Sequence, residues 1–393
     1  PLASMRVTHV ITRLIVGGAQ ENTVATVLGL RHKAGVEVDL VTGPTAGREG
    51  TLEHLLKGNV PLEIEPHLVR PVHPFHDVLA WQRLPRRFRR TQPDIVHTHS
   101  GKAGVIGRLA AARAGVPVII HTIHGPSFGP FQGALANAIF TQAERRAGRI
   151  TTHFISVAEA MTEQYLAAGI GRHEQYSTVW SGFDLAPFLN ASNDPALRSR
   201  LGIGPEDLVI GKIARLFKLK GHDDLFAAAR EIVRQVPHVK FLLVGDGPWR
   251  DRFERQLAQS GLSRHFIFTG LVPPTEVSRH VGLMDVLVHL SRREGLPRAL
   301  PQAMAAGKPV VAYDCDGARE VCVPEQTGFL LPPGDQAGLI KAVVTLAQSP
   351  ALRHQLGERG RQLARERFEV ARMVDAIHAC YLNLLSGRSP HRS

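Results

Sequence analysis

An α/β fold of two doubly wound, Rossmann-like domains is what this sequence predicts, on three observations. The chain has 393 residues, enough for two domains of the usual ~100–200 residues each. Short β-branched and aliphatic runs alternate with longer helix-patterned ones, as strands buried on both faces of a parallel sheet do. That alternation starts afresh past the middle of the chain. Hydrophobic residues make up 44% and charged residues 21%, so each half can bury a core of ordinary size.

The first series of strands is expected over 7–11, 36–41, 94–97 and 117–121, each followed by Gly or polar turn residues. The second is expected over 208–213, 239–244, 266–268, 285–289 and 309–312. Between them, 185–207 is rich in Pro, Gly, Asn and Asp and reads as a linker with a short helical stretch at its centre. The expected organisation is therefore an N-terminal domain over 5–186 and a C-terminal domain over 187–365. The helical pattern of 361–385, with no strand after it, predicts a closing helix over 366–386 that packs back on the N-terminal domain. Sheets of this kind bind ligands at the carboxyl ends of their strands, so the two domains are expected to face a cleft.

Lys and Arg number 47 against 35 Asp and Glu, a formal net charge of +12 that favours phosphate-bearing partners or an anionic membrane surface. The excess is shared by both domains and no aromatic-rich recognition motif accompanies it, so nucleic acid is not expected. No stretch approaches the ~18 uninterrupted apolar residues of a spanning helix. The run after Met5 is broken by Thr12, Arg13 and Gly17-Gly18, unlike a signal peptide, and residues 1–4 ahead of it read as an appended remnant. Cys315, Cys322 and Cys380 form no C-x-x-C pair and no disulfide framework, which points to the cytoplasm.

Gly17 and Gly18 fall between the first strand and a helical run over 23–30, where a ligand can approach backbone N–H groups and the helix dipole favours phosphate; the competing reading is an ordinary turn. Gly245 and Gly247 follow strand 239–244 like the start of a dinucleotide fingerprint, but Arg250 stands where its third glycine belongs, so a nicotinamide cofactor is not expected. Arg215 and Lys220 lie in the loop after strand 208–213. A planar fork beside a point charge suits a departing diphosphate; two solvated surface cations are the alternative. After strand 285–289 comes a polar turn with Glu294, then Gly295-Leu296-Pro297 and a helix ending at Gly307. Amides around Gly295 and Leu296 are expected to face the cleft, with Glu294 accepting from sugar hydroxyls and Gln302 reaching from the helix.

Glu294-Gly295-Leu296-Pro297, with Ala303-Met304-Ala305-Ala306-Gly307 and Pro309-Val310, resembles the signature of the retaining GT-B glycosyltransferases of family 4. The likeness runs along almost the whole chain, through Gly17-Gly18-Ala19-Gln20, Asp94 to Ser100, Lys102-Ala103-Gly104, His121 to Gly125, Ser156 to Glu159, Arg215 with Lys220-Gly221, Val244 to Pro248 and Gly317 to Val321. The resemblance implies that Arg215 and Lys220 hold the donor diphosphate, that Gly17 and Gly18 close over it, and that Glu294 contacts the donor sugar with help from the amides of Gly295 and Leu296. It implies that His124 faces the reacting sugar. Gln302 stands where the family usually has a second, ribose-binding glutamate; its amide can still meet hydroxyls, without the charge. Pro301 lacks an N–H and disfavours helix at Leu300, so the helix start is expected to shift.

His97 and His99 are expected to point to opposite faces of their strand, and no metal is assigned to them. Asp314-Cys315-Asp316 matches the Asp-x-Asp of metal-dependent glycosyltransferases of another fold; we read the match as coincidence. Arg83, Arg86, Arg87, Arg89 and Arg90 crowd a segment whose Trp81, Leu84 and Phe88 share the opposite face, with Pro85 expected to prevent one long helix and to start it near Leu84. Arg86, Arg87 and Arg90 are candidates for touching anionic lipid, with His99 and Lys102 as candidates on the acceptor side.

The resemblance thus implies a retaining glycosyltransferase, and no cofactor or metal is expected. It would move a sugar from a nucleotide-diphosphate donor, UDP-sugar by preference, to a hydroxyl of a glycan, lipid-linked or small-molecule acceptor, in the cytoplasm or peripherally at the inner face of the membrane. A sugar-nucleotide epimerase, a phosphorylase and a non-catalytic sugar-nucleotide-binding subunit stay open as alternatives.

Overall fold

The computed structural model describes residues 4–45, 50–99 and 101–387; positions 1–3 of the expected remnant and Ser100 of the 94–100 motif lie outside the described residues. The chain forms two compact units, Pro1–Phe183 with Val370–Ser393, and Asp184–Glu369.

In the first unit, β1 (Met5–Ile11), β2 (Val36–Thr42), β3 (Leu62–Ile64), β4 (Ile95–His99), β5 (Val118–Ile123), β6 (His153–Ser156) and β7 (Tyr176–Thr178) make one parallel sheet in the order 3-2-1-4-5-6-7. The second unit repeats the plan with β8 (Leu208–Ile213), β9 (Val239–Val244), β10 (Phe266–Phe268), β11 (Val286–His289), β12 (Val310–Tyr313) and β13 (Gly328–Leu331), in the order 10-9-8-11-12-13. Both sheets are therefore doubly wound. Their direction reverses between β1 and β4 and between β8 and β11, and loops leaving such a pair diverge and leave room for a ligand. Every strand expected from the sequence is present; β3, β6, β7 and β13 are additional, three or four residues each and too short to show a period of their own.

On one face of the first sheet, Val7, Ile11, Ile95, Val118 and Ile120 pack with Val24 and Val27 of the helix Gly18–Arg31 and with Met373, Val374, Ile377 and Tyr381 of the closing helix Val370–Ser386. The two helices touch at Gly29, where an added Cβ would lie 2.5 Å from Val374 Cγ2. The closing helix is separate from Pro350–Arg367, so the helical pattern of 361–385 spans two helices with a break at Phe368-Glu369. The opposite face of the first sheet is covered by Leu84 and Phe88 of the helix Pro74–Thr91 and by Ala103, Ile106, Ala110 and Ala111 of Gly101–Ala114.

Three expectations need correction. The 185–207 stretch is packed structure of the second unit, since Leu185, Phe188, Leu197 and Ile203 are buried and the short helices Ala186–Leu189 and Pro195–Arg200 lie within it. The helix Pro74–Thr91 runs straight through Pro85; that proline cannot donate to the Trp81 carbonyl, but Ala80, Leu84, Pro85 and Phe88 are all buried and anchor both halves. Trp81 falls on their face by the helical period but is not buried with them: it is partly exposed, and the Arg113 guanidinium lies 4.3 Å from its ring centre.

Candidate active site

The polar clusters gather at the two places where the sheets reverse. In the second unit, β8 delivers Lys212 and the loop carrying Arg215 and Lys220, while β11 delivers His289 and the turn carrying Glu294. Gly221, at φ 69°, is the N-cap of the helix His222–Gln235, and a Cβ there would lie 2.1 Å from the Leu290 carbonyl oxygen, so the two loops meet through backbone. Lys220 Nζ donates to Glu294 Oε1 at 2.5 Å, and His289 Nε2 lies 3.5 Å from the same oxygen. Burial opposes the charge of Glu294, but Lys220 first and His289 second more than offset it and hold the carboxyl well below its usual range. Burial pushes Lys212 down to about 7, with the Lys220 charge adding to it and Glu294 and Asp224 opposing. The backbone N–H of Glu294 donates to Asp316 Oδ2 at 2.6 Å, and that of Gly317 to the Gly295 carbonyl at 3.0 Å, which pins the Glu294-Gly295 turn.

Gly245 and Gly247 have a local task. A Cβ on them would lie 2.4 Å from the Ala214 carbonyl oxygen and 2.5 Å from that of Leu216, so their absence of side chain lets the Arg215 loop lie against the end of β9. Arg215 is exposed, with its guanidinium 5.8 Å from the Phe217 ring centre. Gly295 and Leu296 are buried, and Gln302 is half-buried on the helix Ala299–Ala305. Pro301 shifts nothing: with Arg298 as N-cap it is the third helical residue, where an N–H has no partner inside the helix anyway, and Leu300 is helical ahead of it. Asp314 accepts two hydrogen bonds from Arg319, at 2.9 and 2.7 Å, while Asp316 serves the Glu294 amide. Both aspartates thus have structural tasks.

In the first unit, Gly17 is the N-cap of the helix Gly18–Arg31, which begins at the glycine pair rather than at Thr23. Nearby lies a cluster the sequence reading missed. His97 and His99 do not face opposite ways: residues two apart on a strand share a face, and their rings stack with centres 4.4 Å apart. His9 stands beside His97 in register, its Nδ1 hydrogen-bonded to His99 Nε2 at 2.8 Å, and His99 Nδ1 is hydrogen-bonded to His124 Nε2 at 3.0 Å. The three strand histidines are buried and each brings a ring nitrogen within 4.8 Å of the others, so the ground for setting aside a shared site fails. Burial pushes His9 down to about 3 and, with the neighbouring imidazoles, holds His97 and His99 well below their usual range, so all three are neutral. His124 is half-buried at the outer end.

His99, buried behind His124, is withdrawn from direct contact with an acceptor. Lys102 pairs with Asp77 and donates to the Pro71 carbonyl at 2.5 Å. Arg87 is also withdrawn: only 9% exposed, it pairs with Asp39 and, at 2.8 Å, with Glu63, so it cannot face lipid. Arg86 and Arg90 remain exposed. Lys212, His289, His9 and Tyr381 went unnoticed in the sequence; a lysine inside an apolar strand and the His-x-His spacing were the available signals.

A model of the family 4 glycosyltransferases matches residues 16–186, and one of the glycosyl transferases group 1 matches residues 193–363. The UDP-Gal:alpha-D-GlcNAc-diphosphoundecaprenol alpha-1,3-galactosyltransferase of Escherichia coli is 26% identical over 86% of this chain and 87% of its own. The 2-deoxystreptamine glucosyltransferase of Streptomyces kanamyceticus is 32% identical over 67% of this chain and 70% of its own. The crystal structure of Anabaena Alr3699/HepE in complex with UDP and glucose superposes with a TM-score of 0.82 at 22% identity, over 96% of this chain and all of that one. The two sheets are those of a GT-B glycosyltransferase. The chain belongs to family 4, the group 1 glycosyltransferases, as its motifs led us to expect.

Proposed function

We propose that this glycosyltransferase takes its sugar from a UDP-sugar and transfers it with retention to a hydroxyl of a glycan, lipid-linked or small-molecule acceptor. The observation that carries the reading is the Lys220–Glu294 pair at the β8/β11 reversal, beside the exposed Arg215. Arg215 and Lys220 take the diphosphate, stabilising the charge that grows on it as the sugar leaves. Glu294 meets the sugar hydroxyls with the amides of Gly295 and Leu296, Gln302 meets the ribose, and Gly245 and Gly247 hold the Arg215 loop against the nucleotide. Gly17 and Gly18 offer helix-start amides to phosphate, and His124 faces the reacting sugar. Asp314 is tied to Arg319 and Asp316 to the Glu294 amide, and in this reading the two cations rather than a metal neutralise the diphosphate. The UDP preference is supported by the donor for which the Escherichia coli relative is named.

Thermal unfolding with UDP, GDP, ADP and TDP, each with and without EDTA, tests this. UDP alone should raise the melting temperature, about 2.7 kcal/mol of stabilisation at a hundredfold excess over Kd, unchanged by EDTA. A shift with GDP instead overturns the base, and none with any nucleotide overturns the donor site.

We further propose a peripheral membrane contact. No helix among the described residues is long and apolar enough to cross a membrane. On the helix Pro74–Thr91, however, Phe75, Val78, Arg86 and Arg89 are exposed and fall on one stripe at ~100° per residue, apolar at one end and basic at the other. Binding to anionic but not neutral vesicles, weakened by salt and by Phe75→Ser with Val78→Ser, is the expected result of co-sedimentation; equal binding to both vesicles sinks the idea.

A further inference from the structure

The histidine cluster continues inward as a ladder. Behind His9, whose Nδ1 bonds His99, Nε2 lies 3.4 Å from the Tyr381 hydroxyl. That hydroxyl is 2.5 Å from His97 Nδ1, and His97 Nε2 is 2.6 Å from Thr122 Oγ1. Thr122, His97, Tyr381, His9, His99 and His124 therefore form one continuous hydrogen-bonded chain, buried except at His124.

Neutral imidazoles impose a rule on such a chain. Each carries one N–H and one lone pair, and each link between two ring nitrogens takes one proton, so every link must point the same way. Tyr381 chooses the direction, because it has one proton to give. Both neighbours are imidazoles, so the distances decide: an O–H donor makes the shorter contact, the 2.5 Å one to His97 rather than the 3.4 Å one to His9. Tyr381 thus donates to His97 Nδ1 and accepts from His9 Nε2. It follows that His99 Nε2 donates to His9 Nδ1 and His124 Nε2 to His99 Nδ1.

We propose that Tyr381, reaching in from the closing helix, fixes the tautomer of His124 through His9 and His99, so that His124 Nδ1 presents a lone pair to a hydroxyl of the reacting sugar or the acceptor. Tyr381, His9 and His99 are positioning residues, acting only through His124. The inference rests on the assignment of His124 to the reacting sugar made above.

Two-bond 1H–15N correlation spectra of 15N-histidine-labelled protein report directly which nitrogen of each imidazole is protonated. The chain has 20 histidines, and the signal missing in His124→Gln identifies His124. Recorded at a pH where the His124 imidazole carries a single proton, the wild-type spectrum is expected to place that proton on Nε2. Tyr381→Phe keeps the ring and its packing but deletes the hydroxyl. It should move His124 toward the Nδ1–H form and lower kcat about tenfold with the donor KM within about twofold, the split that separates positioning from binding. A proton on Nδ1 in the wild type overturns the proposal without recourse to any variant, as does a tautomer unmoved by Tyr381→Phe. If His124→Gln leaves turnover intact while UDP still binds, the underlying assignment of His124 fails, and with it the ladder's part in turnover, whatever the tautomer.

Discussion

Lys220→Ala is expected to lower kcat/KM by about 10²–10³, the usual cost of removing one preorganised group from a developing negative charge. The variant has a second, more specific signature. In the wild type the Glu294 carboxyl is held below its ordinary value because Lys220 and His289 together outweigh its burial. Without Lys220, burial faces only His289, which burial itself keeps from charging. The Glu294 carboxyl then takes up its proton at a higher pH, and the acid limb of kcat/KM moves up toward neutrality. Glu294→Gln, which has no carboxyl to protonate, should lose that limb and keep the low rate at every pH. The same pair contributes stability that is present above the unfolded carboxyl's value of 4.5 and is lost as pH falls through the depressed folded one. A pH–rate profile of Lys220→Ala with an unmoved acid limb would falsify the role given to the pair.

The residues of the candidate site differ in how far a sequence can reveal them. Arg215, Lys220 and Glu294 are legible because they follow strands directly, and strand ends are where such sheets bind ligands. Gly245 and Gly247 are visible as glycines, yet their task, admitting the Ala214–Leu216 backbone, depends on a contact between loops some thirty residues apart. The helix Pro74–Thr91 was misread because Pro85 outweighs helical propensity locally, whereas burial of Leu84 and Phe88 outweighs Pro85 in the folded unit. The arginines of that helix read as one basic face, but Asp39 and Glu63, contributed by β2 and β3, capture Arg87 from below. The histidine ladder divides in the same way. His-x-His on a strand is a legible shared face, while the register of β1 on β4 and the arrival of Tyr381, 284 residues after His97, are tertiary facts.

Glu144→Ala is expected to destabilise the first unit by about 3–5 kcal/mol, because it strips the partner from a charge that cannot reach water. Arg108 and Glu144 are 0% and 1% exposed and meet at 2.5 Å between Nη2 and Oε2. The remaining polar atoms are met as well: Arg108 Nε donates to the Gly104 carbonyl at 2.7 Å and Nη1 to Thr151 Oγ1 at 3.3 Å, and Ser127 donates to Glu144 Oε1 at 2.9 Å. For a unit of this size the loss corresponds to about 6–20 °C in the melting of the first unit. Replacing both partners by apolar residues, Arg108→Met with Glu144→Leu, should cost much less than either single change, since no charge is then stranded. The groups left behind keep other contacts: Thr151 Oγ1 donates to the Ala147 carbonyl, and Ser127 stays hydrogen-bonded to Tyr165. Denaturant unfolding of the two single variants and the double one closes a mutant cycle. Strong coupling, with the double variant more stable than Arg108→Met or Glu144→Leu alone, is the expected outcome; additive losses would mean that the pair acts through packing volume rather than charge.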